Sequence, residues 1–145
     1  MPTRKTYANI KRAGEWCVNY VSKDYLDNFT ATIQNKGAET DEIAASGFTA
    51  EASRAIQAPS IAESAVSLEC KLVREIEIAP GSVWSLFIGD IAGIAIDEKV
   101  LATQPEQRVA AMGLPYNIRG TVNPLTGDYH GPNTYGLLGE IIHTV

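Results

Sequence analysis

Hydrophobic and polar residues alternate from Val66 to Ile78, with Val66, Leu68, Cys70, Leu72, Ile76 and Ile78 at even positions and Ser67, Glu69, Lys71, Glu75 and Glu77 at odd ones. A period of two predicts a strand with one buried face. Val73 and Arg74 fall on the wrong faces, the pattern of a bulge that resets the pleat. Pro59 lacks a backbone donor and suits the entry to the sheet. Ala79-Pro80-Gly81-Ser82 combines a fixed φ with a residue free to take positive φ, so the chain is expected to reverse there. The return run places Trp84, Leu86, Ile88, Ala92, Ile94 and Ile96 on one face, and Gly89 and Gly93 on the other, where missing side chains permit sharp coiling. Two long, bent antiparallel strands predict part of the wall of a small barrel. Asp90 is the ionisable residue within the apolar set, read as a carboxylate at a strand bend that accepts backbone donors.

Elsewhere the patterning is shorter. Thr6 to Ala13 reads as a helix capped by Thr6 and ended by Gly14. Glu15-Trp16-Cys17-Val18-Asn19-Tyr20-Val21 is a strand by its aromatic and β-branched content. Asp24 is expected to cap a helix whose Tyr25, Leu26, Phe29 and Ile33 form an apolar stripe, with Lys36-Gly37 ending it. Thr40 to Ala45 is a further short helix with Thr40 as cap, closed by Ser46-Gly47. Asp97 to Met112 reads as partly helical, Gly113 to Asn133 as a long irregular loop rich in Gly, Pro and Asn, and Leu137 to Val145 as a last strand.

Composition narrows the function classes. At 145 residues the chain fits a single domain, 1–145, able to bury a core. Twelve basic against seventeen acidic residues, net charge -5, with no Lys/Arg cluster, argue against nucleic acid as a partner. No apolar run approaches the roughly 20 residues that span a bilayer, and the N-terminus lacks an apolar signal core. The expectation is a soluble, cytoplasmic protein with no membrane partner. Cys17 and Cys70 read as two buried, reduced thiols, and His130 and His143 offer no metal-ligand spacing. Gly89 and Gly93 lack the strand-to-helix setting of a dinucleotide-binding turn.

Five blocks then carry a resemblance: Lys5-Thr6-Tyr7-Ala8-Asn9-Ile10, Gly14-Glu15-Trp16-Cys17-Val18-Asn19, Ser46-Gly47-Phe48-Thr49, Ala58-Pro59-Ser60-Ile61-Ala62-Glu63-Ser64-Ala65-Val66-Ser67-Leu68-Glu69-Cys70, and Leu86-Phe87-Ile88-Gly89-Asp90-Ile91. In this order and spacing the chain resembles the flavin reductase-like proteins over about residues 4–101, while 102–145 matches poorly. The resemblance implies a mainly β fold with short helices, an FMN-binding split β-barrel of Greek-key type. It also implies a flavin reductase-type oxidoreductase with FMN as cofactor, NAD(P)H as electron donor, and a homodimer or higher homo-oligomer. In that family a threonine-containing turn with basic neighbours helps hold the FMN phosphate, which assigns cofactor binding here to Arg4, Lys5 and Thr6. A helix N-terminus behind two cations suits an anion, and the plainer role of Thr6 is a helix cap.

Two departures accompany the match. Family members carry several barrel strands ahead of this first helix, so the barrel is expected to be incomplete at the N-terminus, through truncation, a partner chain or strand exchange. Lys5 also stands where the family turn usually has aspartate, and Ala65 where it usually has proline. An alternative function is a non-catalytic dimeric binding or structural module built on the same scaffold. No general acid or base stands out, and Tyr129, His130 and Tyr135 are either ring-pocket residues or ordinary polar loop residues.

Overall fold

The computed structural model describes residues 5–33, 39–79, 84–122 and 129–137, and of 118–122 and 129–134 the backbone alone. Arg4, the Lys36-Gly37 stop, the Pro80-Gly81-Ser82 turn and the 138–145 end of the expected last strand lie outside those residues.

Three antiparallel strands form the main sheet, in the order β1 (Glu15–Val21), β4 (Ser64–Glu77), β5 (Ser85–Ile96). Two small antiparallel pairs accompany it: β2 (Ala50–Glu51) with β3 (Ser60–Ile61), and β6 (Pro115–Val122) with β7 (Tyr129–Leu137). The helices are short: α1 (Lys5–Ala13), α2 (Leu26–Ile33), α3 (Glu42–Ala45), α4 (Glu98–Ala102) and α5 (Arg108–Ala111). The mainly β fold with short helices is thus as expected, as is the partly helical stretch after Asp97.

Helix ends follow local chemistry and correct three expected caps. Gly14 ends α1 with φ 70°, its N–H donating to the Ile10 carbonyl at 2.8 Å. At the other end the helix already begins at Lys5, so Thr6 lies in its first turn instead of capping it. Ser22, not Asp24, caps the 3-10 turn that leads into α2, its hydroxyl accepting from the Asp24 N–H. Asp41, not Thr40, caps α3 by accepting from the N–H groups of Ile43 and Ala44.

The β4–β5 ladder contains the expected bulge, with Val73 unpaired between Leu72 and Arg74. A second slip lies at Ala92, between the pairs Glu69–Gly93 and Cys70–Ile91. Directly opposed residues share a face. Ile91, Ile94 and Ile96 therefore stand with Cys70, Leu68 and Val66, while Leu86 and Ile88 point to the other side. The single apolar face expected for Trp84 to Ile96 is split in two by that slip, because one extra residue inverts every side chain beyond it. Asp90 is exposed opposite Lys71 and is not the buried, backbone-bonded carboxylate expected.

Among the described residues, the irregular loop expected over Gly113 to Asn133 is instead mostly two paired strands, β6 and β7, while 123–128 lie outside those residues. Its Pro and Gly content misled because Gly120, Gly131 and Pro132 fall where the ladder is interrupted. Pairing slips between Asn117 and Arg119 and again between Arg119 and Thr121, and Gly131, Pro132 and Asn133 have no register partner. Proline lacks the N–H that a continuous ladder needs.

Candidate functional site

The covered face of the main sheet is its polar one. Ser67 and Glu69 are each only 3% exposed, more buried than the alternating apolar residues beside them. The segment 52–59 crosses this face, and its backbone donors end on side chains of β1 and β4. Glu69 accepts from the N–H groups of Arg54 (3.0 Å) and Ala55 (2.6 Å), and Glu15 from those of Gln57 (2.6 Å) and Ala58 (2.9 Å). Asn19 Oδ1 receives the Ile61 N–H and the Ser64 and Ser67 hydroxyls. A loop without its own ladder must satisfy its amides somewhere, and these side chains do it. The same donors from Arg54 and Ala55 hold the Glu69 carboxyl below the usual carboxylate range. Gly93 leaves room for the arrangement: a Cβ there would lie 2.9 Å from Glu69 Oε2.

On the opposite face α1 docks through rings. Tyr7 packs on Phe87 with centroids 5.6 Å apart, and Trp16 on Phe87 at 6.3 Å. Lys11 pairs with Glu75 at 2.5 Å; that hydrogen bond raises the lysine and lowers the carboxyl. Gly89 is required beneath the Trp16 ring, where a Cβ would collide with the indole and lie 2.8 Å from the Lys71 carbonyl.

This docking sets the first turn of α1 beside a cleft of about 360 Å³ with mixed polar and apolar walls. Thr6 lines it together with Cys17, Asn19, Thr32, Glu42 and Phe48. The Lys5 ammonium donates to the Thr40 carbonyl at the approach to α3. An ammonium carries three N–H groups, so this contact does not exhaust it. The chemistry of the first turn, an ammonium, a hydroxyl and helix N–H groups, fits a phosphate. The cleft behind it does not, since its charged lining residue among those described is the carboxylate Glu42. Burial, then the nearby Glu69 charge, push the Cys17 thiol up, and burial does the same to Cys70. Both cysteines are free, as expected, but only Cys70 is buried; Cys17 is half-buried.

A second cleft, also about 360 Å³ and mostly apolar, opens between the end of β1, α2 and the β6–β7 hairpin. Tyr20, Phe29, Pro115, Tyr116 and Tyr135 wall it. Of the three late residues raised from sequence, Tyr135 does line a pocket; the side chains of Tyr129 and His130 are outside those described. The other walls come from segments distant in sequence and carried no signal of a shared site. No described helix is long and apolar enough to cross a membrane.

Comparison with known proteins places this geometry. A family model described as a flavin reductase like domain matches residues 1–116. Uncharacterized proteins of Aquifex aeolicus and Archaeoglobus fulgidus are each 29% identical, over 98 and 89 residues. The matched part is 68% and 61% of this chain but 48% and 49% of those proteins, so the chain spans about half the length of the curated relatives it matches. Among solved structures, nitrilotriacetate monooxygenase component B from Bacillus cereus superposes with a TM-score of 0.76 at 20% identity, over 97% of this chain and 65% of that one. Flavoredoxin of Desulfovibrio vulgaris (Miyazaki F) gives 0.73 at 20%, over 99% and 69%. A Shewanella frigidimarina protein described as a flavin reductase with a split barrel domain gives 0.74 at 20%, over 99% and 66%. These likenesses show the split-barrel fold, although the strands described here do not close a barrel among themselves. With four-fifths of its length inside the family model, the chain belongs to the flavin reductase like domain family.

Proposed function

We propose that this chain is the flavin-binding part of an oxidoreductase, with FMN as the flavin and NAD(P)H as the electron donor. The observation that carries the reading is the family match over residues 1–116, which includes the α1 turn. Arg4, Lys5 and Thr6 would hold the phosphate at that turn, with Lys5 supplying charge, Thr6 a hydroxyl, and the helix end its unpaired N–H groups. A bound flavin supplies the hydride-accepting chemistry, and the protein's part is to fix it in place and screen it from water.

The same reading includes a homo-oligomer. Among the described residues, strand β5 is an outer strand of its sheet with apolar residues open on both faces: Leu86 is 52% exposed on one, Ile91 55% and Ile94 60% on the other. An unpaired, two-sided apolar edge favours association with another chain. A second copy covering it would bring two flavin grips into one assembly.

Absorbance of the purified protein tests the enzyme reading against the non-catalytic module. The enzyme reading expects bound flavin, bleached anaerobically by NADH or NADPH. A colourless protein that stays inert after addition of FMN supports the module.

A further inference from the structure

The two clefts adjoin, since Asn19, Val21 and Phe29 line both. Asn19 therefore stands where the groove passes from the α1 turn toward the aromatic walls of Tyr20 and Tyr116. We propose that its side-chain amide is a flavin-recognition group, with Nδ2 donating a hydrogen bond to an uncharged acceptor atom of the ligand beyond its phosphate. This rests on the flavin reading above, and it adds a residue of β1 to the grip assigned to Arg4, Lys5 and Thr6.

The orientation of the amide is the first observation. Its Oδ1 accepts from the Ile61 N–H at 3.1 Å, from Ser67 Oγ at 2.9 Å and from Ser64 Oγ at 3.3 Å. A hydroxyl can donate or accept, but a backbone N–H only donates, so the amide atom facing Ile61 must be the oxygen and not the NH2. The nitrogen is thereby turned away from Ile61. Donors from β3 and β4 hold the oxygen, so the amide is fixed before any ligand arrives.

What the nitrogen meets is the second. Every hydrogen bond of the Asn19 side chain to a described residue, a long one from Cys17 Sγ included, ends on Oδ1. Among the described residues the buried side-chain polar atom without a partner is Tyr135 Oη, so the unpaired Nδ2 reaches solvent. Cys17 and Asn19, at alternate positions of β1, share a face, and both line the cleft beside Thr6. A fixed, half-buried amide on a cleft wall thus has two N–H donors to offer.

Charge is the third. The charged residue among the described lining of that cleft is Glu42, which repels an anion beyond the first turn of α1. The ligand group beside Asn19 is therefore neutral, and an uncharged N–H donor suits a carbonyl oxygen, a ring nitrogen or a hydroxyl.

Riboflavin, which lacks the phosphate, isolates this contact from the α1 turn. Asn19→Asp keeps an oxygen for Ile61 and both serines while exchanging the NH2 for a second acceptor. In fluorescence titration of the full chain at neutral pH, N19D should bind riboflavin roughly five- to tenfold more weakly than the wild type, the size of one hydrogen bond. The Ile61 amide should keep its hydrogen-exchange protection, which a merely structural role of Asn19 would not spare. In isotope-labelled wild type, NMR should show riboflavin moving the Asn19 NH2 resonances downfield and slowing their exchange with water.

Equal riboflavin affinity of the wild type and N19D overturns the proposal and leaves the flavin reading standing. So does an Asn19 NH2 signal that bound riboflavin leaves in place, a measurement that needs no variant and holds even where the substitution misfolds. If neither riboflavin nor FMN binds the wild type, the flavin reading falls and this proposal with it.

Discussion

Glu69 and Ile94 lie on neighbouring rungs of the β4–β5 ladder, yet their surroundings are opposite. The carboxylate is 3% exposed beneath the segment 52–59, and the isoleucine is 60% exposed on the other face. Side-chain polarity alone would reverse the two. What decides is which distant segment arrives to cover each face and what that segment needs. The 52–59 stretch has backbone donors to place, so a carboxylate serves it better than a methyl group would. The β5 edge has no such cover among the described residues, and its apolar side chains stay exposed.

The largest effect should come from breaking the covered side. Glu69→Ala removes both acceptors from the Arg54 and Ala55 amides, leaving partly buried donors unmet. We expect the steepest fall in Tm of the set, with loss of hydrogen-exchange protection at residues 54 and 55. Unchanged protection there would refute the clamp. Gly89→Ala comes next, at about 1–3 kcal/mol from chemical denaturation, since the added methyl must displace the Trp16 ring or the Lys71 backbone.

Acid should act on the same clamp. The Glu69 carboxyl is held below its unfolded value, so on acidification the unfolded state binds the proton first. Its contribution is fully present above the unfolded glutamate pKa and is lost as pH falls through the lower folded value. Denaturation midpoints followed against pH should show the wild type losing more stability across that window than Glu69→Gln. Parallel curves would contradict this. Asp41→Ala should cost about 1 kcal/mol by loss of the α3 cap. Least affected is Ile94→Ser: within about 0.5 kcal/mol for the monomer if the residue is open there. Light scattering should nonetheless report a smaller oligomer, and an unchanged mass would remove Ile94 from the interface.

How far the sequence reached can be judged from particular residues. Alternation placed β4 and its bulge at Val73 because both are local, and the five blocks identified the family before any coordinate. Faces were harder. The slip at Ala92 is invisible to periodicity, since a one-residue insertion looks like ordinary sequence until its partner strand is known. Burial of Glu69 depends on amides 14 and 15 residues away. The β6–β7 pair hid behind Gly120, Gly131 and Pro132, which occupy its interruptions. Tyr135 was named among loop residues, but its companions Tyr20 and Phe29 come from elements whose meeting is a tertiary fact.

Flavin recognition at the α1 turn is the claim on which the functional account rests, and its most direct test compares FMN with riboflavin, which lacks the phosphate. Fluorescence titration should show FMN binding about tenfold or more tightly than riboflavin, from a charge-assisted phosphate contact. Lys5→Ala combined with Thr6→Ala should abolish that difference while sparing riboflavin. Equal binding of the two flavins by the unaltered protein, or an FMN preference that persists in the double variant, would contradict the account.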